Sequence, residues 1–230
     1  MVLGLIPAKG GSQRLALKNI RSLGGRPLIE WAAKAAWESG VVDRLILSTE
    51  AEVVAESAVS SGIEVPFIRP KELAKDPYGV VDVALHAIES LEEQGDVYDR
   101  LVILLPTSPL RTANDIRQAY RKFNDEDAQF LMSVSEYAHT PFSALRLEEG
   151  RYLKAHFAEY LGKKSQQMPL AYRCNGAIHI LDIEAFNRER SYYAEPLLSY
   201  IMPPERSVDI DTELDFRWAE FLYQMRIERV

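Results

Sequence analysis

Apolar positions along this chain follow two rhythms, short continuous runs and stripes at helical spacing, and the two alternate. Val2–Ile6 is a short apolar run and reads as a buried strand. A glycine-containing loop over Ala8–Asn19 follows it. Pro27 then opens a helix in which Leu28, Trp31, Ala32, Ala35 and Ala36 recur at i, i+3, i+4, i+7 and i+8. Arg44–Ser48 reads as a strand, Glu52–Ser61 as a helix that stops near Gly62, and Val65–Ile68 as a strand ended by Arg69-Pro70. Val81, Ala84, Leu85, Ile88 and Leu91 repeat the helical stripe. Leu101–Leu105 is nearly continuous in apolar residues, the pattern of a central parallel strand covered on both faces. Asp115–Phe123 reads as a helix and Phe130–Ser135 as a strand.

This alternation predicts an α/β protein, a parallel sheet with helices on both sides. The rhythm breaks near Tyr137. Residues 138–172 are polar and aromatic with hairpin-like pieces, and Gly176–Leu181 then resumes as a strand. The break reads as an insertion in one domain spanning residues 1–230, and its Tyr, Phe and Leu content makes it a candidate contact in a homodimer. The last helix is expected to carry Leu214, Trp218, Phe221, Leu222 and Met225 on one face, with Thr212 and Asp215 as a capping pair at its start.

Composition narrows the class. The chain has 230 residues, enough for one well-buried α/β domain, and its net charge of −7 argues against a general nucleic-acid binder. Its only cysteine, Cys174, cannot form an intrachain disulfide, which predicts a reducing compartment and a cytoplasmic location. Met1–Ile6 lacks the basic start of a signal peptide, and no run approaches the roughly 18 apolar residues of a membrane span. Membrane partners are therefore not expected.

Three segments carry candidate chemistry. The first is Pro7-Ala8-Lys9-Gly10-Gly11-Ser12-Gln13-Arg14, continuing to Lys18-Asn19, directly after the first strand. Glycines let backbone N–H groups approach phosphate oxygens, and Lys9, Arg14 and Lys18 add positive charge there. The spacing is neither that of a P-loop nor of the dinucleotide fingerprint, and an ordinary basic turn has the same residue types. The second is Val208-Asp209-Ile210-Asp211-Thr212. In an extended segment, residues i and i+2 share a face, so Asp209 and Asp211 converge as ligands for a hard cation such as Mg²⁺; Asp211 or Thr212 equally suits a helix cap. The third is Pro106-Thr107-Ser108-Pro109-Leu110-Arg111, after the central strand, where ligands of open α/β sheets bind. Thr107 and Ser108 offer hydroxyls. Arg111 contacts ligand or, on the favoured reading, pins the next helix by an ion pair. Tyr172–Gly176 is either a fourth site segment or a turn. The histidines His86, His139, His156 and His179 show no metal-ligand spacing, and Ser12 lacks the His and Asp partners of a hydrolase triad.

Taken in order, these segments resemble the N-acylneuraminate cytidylyltransferases, the CMP-sialic acid synthetases, over nearly the whole chain. The likeness rests on Ile6–Asn19, Gly25-Arg26-Pro27-Leu28, Leu47-Ser48-Thr49-Glu50, Arg69-Pro70 with Glu72-Leu73-Ala74, Pro106–Thr112, Arg173–Ile178 and Asp209–Leu214. It implies a three-layer α/β/α nucleotidyltransferase fold, an insertion that makes a homodimer, and transfer of CMP from CTP to a nine-carbon keto-sugar acid with release of pyrophosphate. By that resemblance Lys9, Gly10, Gly11, Ser12, Arg14, Lys18, Asn19 and Arg69 bind the nucleotide. Leu105, Thr107, Ser108, Arg173, Asn175, Tyr192 and Tyr193 line the sugar pocket. Asp209 and Asp211 hold Mg²⁺, and Lys9, Lys18 and Asp211 act in catalysis.

The departures lie mostly on the sugar side. Lys9 stands where the family has Arg, Leu105 where it has Gln, and Gly79-Val80 where it has a serine pair. Ser143, Ser165 and His179 stand where Lys, Arg and Tyr are expected. The acceptor is therefore expected to be a related nonulosonate, such as a legionaminic- or pseudaminic-type acid, as readily as N-acetylneuraminate. The alternatives are a CDP- or GDP-sugar pyrophosphorylase on the same fold, and a non-catalytic nucleotide-binding module.

Overall fold

The computed structural model describes residues 1–12 and 14–228; Gln13 of the glycine loop lies outside the described residues, as do Arg229 and Val230. The chain runs through β1 (Val2–Pro7), a two-residue hairpin of β2 (Ser22–Leu23) and β3 (Arg26–Pro27), α1 (Leu28–Ser39), β4 (Arg44–Ser48) and α2 (Glu52–Ser60). Next come α3 (Val80–Glu92), β5 (Arg100–Ile103), α4 (Ala113–Asp125) and β6 (Phe130–Glu136). A small hairpin, β7 (Leu145–Glu148) and β8 (Tyr152–Ala155), occupies the insertion, and β9 (Tyr172–Asp182), α5 (Ile183–Glu189), β10 (Leu197–Ile201) and α6 (Glu213–Ile227) complete the fold.

The central sheet has the order β10-β6-β9-β5-β1-β4. Side chains alternate across a strand, and here the alternation feeds two cores. Val2 and Ile6 of β1 pack with Ile29, Ala32 and Ala36 of α1, Val54 of α2 and Phe123 of α4. Leu3 and Leu5 of the same strand pack with Ala84, Leu85 and Ile88 of α3 and Phe186 of α5. That is the three-layer α/β/α arrangement. Each fully buried Phe123 or Phe186 side chain stabilises the fold by roughly 1.5–3 kcal/mol. A third cluster joins Leu15 and Leu23 to Val208, Ile210 and Phe216, and so fastens the start of α6 beside the glycine loop.

Five strands run in one direction. β9 runs against both its neighbours, β5 and β6. A parallel return needs a crossover, but the segment between β6 and β9 is the insertion, which leaves and re-enters at one end of the sheet. The amino end of β9 therefore arrives beside the carboxyl ends of β5 and β6.

The structure corrects several expectations. Val65–Ile68 is not a strand: within it only Ile68 pairs, in an isolated bridge to Thr49, and Pro66 has no N–H to donate. α5 and β10 were not anticipated. The capping pair at α6 is present, with Thr212 Oγ1 accepting from the Asp215 N–H. The buried face of α6, however, is Phe216 and Ala219, with Leu222 and Tyr223 beside them, whereas Leu214, Trp218 and Phe221 face solvent. Arg111 makes no ion pair with the next helix. Its Nη1 donates to the backbone carbonyls of Leu105 and Ala177, both at 2.8 Å.

Asp115, fully buried, ties the start of α4 to the segment after β10. It accepts from Thr112 N–H, Thr112 Oγ1, Arg206 Nε and Arg206 Nη2 at 2.7–3.0 Å. Burial pushes this carboxyl up, but the Arg206 and Thr112 bonds together hold it below the usual range. A depressed acid stabilises the fold fully above its unfolded pKa of about 4, and the contribution fades as pH falls through the lower folded value. Asp115→Ala should lower the unfolding free energy by about 3 kcal/mol at neutral pH. Urea titrations should also show the variant's deficit shrinking below pH 4; a deficit independent of pH would contradict the assignment.

Candidate active site

The glycine loop leaves β1 at its carboxyl end, and one peptide unit of it is gripped at both ends. Asn19 Nδ2 donates to the Lys9 carbonyl at 2.8 Å, and the Gly10 N–H donates to Glu50 Oε1 at 2.7 Å. Glu50 Oε2 accepts from Arg69 Nη2 at 2.6 Å, and Arg69 Nη1 donates to the Ser48 carbonyl at 3.1 Å. The loop passes so close to the chain after β4 that a Cβ on Gly10 would lie 2.4 Å from the Cβ of Ala51. A side chain at Gly11 would meet open space.

A cleft of about 190 Å³ opens beside this loop, lined by Lys9, Ser12, Lys18, Asn19, Arg69, Leu105 and Thr107 among others. Seven residues singled out from the sequence thus converge. Leu73, Ala74, Tyr78, Gly79, Val80 and Val83 form the opposite wall. A larger groove of about 450 Å³ between Leu110, Thr112 and α6 is lined by none of Lys9, Lys18, Asp209 and Asp211.

The acidic segment is fixed against the cleft through Ile210, fully buried, whose N–H donates to the Thr107 carbonyl at 2.8 Å. Asp211 then meets the cations of the glycine loop. Lys18 Nζ lies 2.8 Å from Oδ1 and Arg14 Nη2 2.8 Å from Oδ2. The Lys18 hydrogen bond, reinforced by its charge and that of Arg14, holds the Asp211 carboxyl below the usual range. Asp209, two residues earlier, makes no ion pair among the described residues. Crowding by protein pushes its carboxyl up, against the pull of the Thr107 hydroxyl, and the Asp211 charge adds to the rise. No cluster of three or more His, Cys, Asp or Glu side chains occurs among the described residues.

The third group gathers around β9 and the segment after α5. Tyr192 packs at a tilt against His179 with ring centroids 4.7 Å apart, and Tyr193 against Tyr192 at 4.8 Å. His179 is buried, and burial with the nearby Arg111 charge drives its imidazole down to about 4, so the ring is neutral at physiological pH. Burial pushes the Cys174 thiol up, which leaves it unsuited as a nucleophile. Leu105 is the wall this group shares with the cleft: a Cβ on Gly176, whose φ is +67°, would sit 3.1 Å from Leu105 Cδ1. Arg173 is exposed beside Asp209 and Ser207.

Two proposed sugar ligands face inward. Ser108 Oγ donates to the Asn175 carbonyl, and the buried Asn175 side chain accepts from Ser133 and donates to Ser207. They brace the strands around the pocket and do not line it. Asn19 and Arg69 do line the cleft, but with amide and guanidinium groups already bonded to the protein. Ser143 and Ser165 lie on exposed turns of the insertion, outside the cleft lining. Glu50 was missed as a site residue; the available signal was an acid just beyond a buried strand, within a segment that the resemblance had already marked.

A cleft bearing Lys9 and Lys18 beyond the carboxyl ends of parallel strands in a three-layer sheet, with the Asp211 carboxylate paired to Lys18, is the arrangement of an α/β nucleotidyltransferase. The chain belongs to the cytidylyltransferase family, whose model matches residues 3–193. It is 32% identical over 226 residues to a pseudaminic acid cytidylyltransferase of Campylobacter jejuni, covering 98% of this chain and 97% of that one. It is 30% identical over 229 residues to a CMP-N,N'-diacetyllegionaminic acid synthase of Legionella pneumophila, covering 99% and 98%. Among solved structures, CMP:2-keto-3-deoxy-manno-octonic acid synthetase in complex with CTP shares the fold, with a TM-score of 0.70 at 14% identity over 98% of this chain and 99% of that chain.

The loop geometry separates two neighbouring glycines. Gly10→Ala forces the loop away from Ala51 and should weaken CTP binding by about tenfold, while Gly11→Ala should change it by less than about threefold. Calorimetric titration of both variants checks this; equal losses would contradict the role given to the close approach at Gly10.

Proposed function

We propose that this protein transfers CMP from CTP to the anomeric hydroxyl of a nine-carbon keto-sugar acid of the diacylated, pseudaminic or legionaminic type, releasing pyrophosphate. The observation that carries this reading is the single cleft in which Lys9 and Lys18 lie beside Thr107 and the Asp209–Asp211 segment, with Leu105 leading to the Tyr192–Tyr193 wall. Two carboxylates and a hydroxyl suit Mg²⁺, which takes few protein carboxylates and completes its shell with water and substrate phosphates. Asp209 and Asp211 would hold it, and it would neutralise charge growing on the α-phosphate.

In this reading the rigid Lys9–Gly10 unit seats the triphosphate, and Lys9, Lys18 and Arg14 offset its charge. The sugar oxygen forms a bond to the α-phosphorus as the bond to the pyrophosphate oxygen breaks. Asp211 assists removal of the hydroxyl proton. Leu105 offers an apolar wall where the resembling enzymes have an amide. A pocket without that polar partner discriminates weakly against deoxy or acylated positions, which fits the substrates named for the two relatives. The insertion leaves Leu145, Leu147, Tyr152, Leu153, Leu161 and Leu170 exposed, which supports a homodimer built through it. No described helix is long and apolar enough to cross a membrane; with Cys174 free, the reading places the enzyme in the cytoplasm, acting on small molecules rather than nucleic acid.

A pyrophosphate-release screen crossing nucleoside triphosphates with keto-sugar acids tests this. CTP should be preferred, and a 5,7-diacylated nonulosonate should be used better than N-acetylneuraminate. Lys18→Ala should lower kcat by roughly 10²-fold or more, and Lys9→Arg should retain activity. Selective turnover of N-acetylneuraminate, or normal rates in Lys18→Ala, would refute the respective parts. Sedimentation should show a dimer; a stable monomer would remove the role of the insertion.

A further inference from the structure

We infer that in the nucleotide-free protein Asp211 occupies the cationic seats of the triphosphate, so that free nucleotide must displace a carboxylate whereas the metal–nucleotide complex carries a replacement partner for it. The inference rests on the proposal that this cleft takes CTP with a divalent ion.

The geometry is specific to one of the two acids. Both oxygens of Asp211 are taken, Oδ1 by Lys18 and Oδ2 by Arg14, each at 2.8 Å. The Lys18 side chain is only 11% exposed, so its ammonium has little water to fall back on and is strongly biased toward whichever anion is adjacent. Asp211 cannot withdraw by a backbone shift. The preceding Ile210 is buried and its N–H donates to the Thr107 carbonyl, and the Asp211 N–H donates to Asp215 Oδ2 at 3.1 Å inside the cap of α6. The exchange therefore takes place at the side chains. Asp209, on the same extended segment, pairs with neither cation; Lys9 makes no ion pair among the described residues and remains available to phosphate.

Consider what each ligand meets. A free triphosphate competes with Asp211 for Lys18 and Arg14, and leaves the displaced carboxylate uncompensated beside its own phosphates. A divalent ion alone competes with Lys18 and Arg14 for Asp211, and leaves two cations beside it. When both arrive together, the phosphates take the cations and the ion takes the carboxylate, so every charge keeps a partner. Metal and nucleotide are then coupled through Asp211, and linkage makes that coupling reciprocal, on the order of ten- to hundredfold.

The test is a binding measurement at fixed ionic strength. CTP is titrated calorimetrically into the wild-type protein, Asp211→Asn and Asp209→Asn, each in EDTA and in Mg²⁺. In EDTA, Asp211→Asn should bind CTP about tenfold more tightly than wild type, and Mg²⁺ should no longer improve its affinity substantially. Asp209→Asn removes the same charge from the same segment but frees neither cation, and should change metal-free binding by less than about threefold. Asp211→Ala, checked by thermal melting, should repeat the Asp211→Asn gain. Metal-free affinity in Asp211→Asn and Asp211→Ala no higher than wild type would overturn the inference, and so would an equal gain in Asp209→Asn, which would mark a general charge effect. Absence of CTP binding to wild type with Mg²⁺ would overturn the reading of the site, and the inference with it.

Discussion

The carboxylate of Glu50 is the interaction on which the site depends. One oxygen takes the Gly10 N–H and the other takes Arg69, whose guanidinium also reaches the Ser48 carbonyl. Three stretches of chain, from β1, from β4 and from the segment before α3, are thereby held in one arrangement. Arg69 and Glu50 are both nearly out of solvent, and removing one partner from such a pair strands the other, at a typical cost of about 3–5 kcal/mol. With Asn19 closing on the Lys9 carbonyl from the other side, the Lys9–Gly10 unit of the glycine loop is held by the protein alone. A pre-formed loop loses little entropy on binding.

Around that fixed loop the remaining groups are delivered by two later segments, each by a different device. β9 enters the sheet against the common direction, so its amino end lies where ligands of open α/β sheets bind and brings Arg173 with it. The segment before α6 is sealed by Ile210, Val208 and Phe216 against Leu15 and Leu23, a hydrophobic contact that sets an electrostatic one. Arg21 adds to the seal by lying 3.9 Å over the Phe216 ring while pairing with Glu213. Apolar packing thus carries Asp211 to Lys18 and Arg14 of the glycine loop.

The parts of this arrangement governed by local rules were legible in the sequence. Glycines beside cations after a first strand, acids at i and i+2, and a Thr212–Asp215 cap each follow from backbone geometry within a few residues. The unreadable parts depend on long-range partners. The direction of β9 follows from how the insertion closes, which no periodicity records. α6 has apolar residues on several faces, so Leu214, Trp218 and Phe221 compete on paper with Phe216 and Ala219, and only the neighbours choose. Ser108, Arg111 and Asn175 are polar residues in candidate site segments, but the partners that fix them, the Asn175 and Ala177 carbonyls and the Ser133 side chain, come from strands far away in sequence. Pro66 did carry a readable signal, a missing donor inside a short apolar run, against Val65–Ile68 as a strand.

A crystal structure with Mg²⁺ and a non-hydrolysable CTP analogue tests the central claim most directly. The account predicts triphosphate oxygens on Lys9 and Lys18, Lys18 Nζ withdrawn from Asp211, and the Lys9–Gly10 peptide still held by Asn19 and Glu50. A nucleotide seated elsewhere, or one bound in the cleft with the Lys18–Asp211 pair intact and the Lys9–Gly10 peptide turned over, would contradict it.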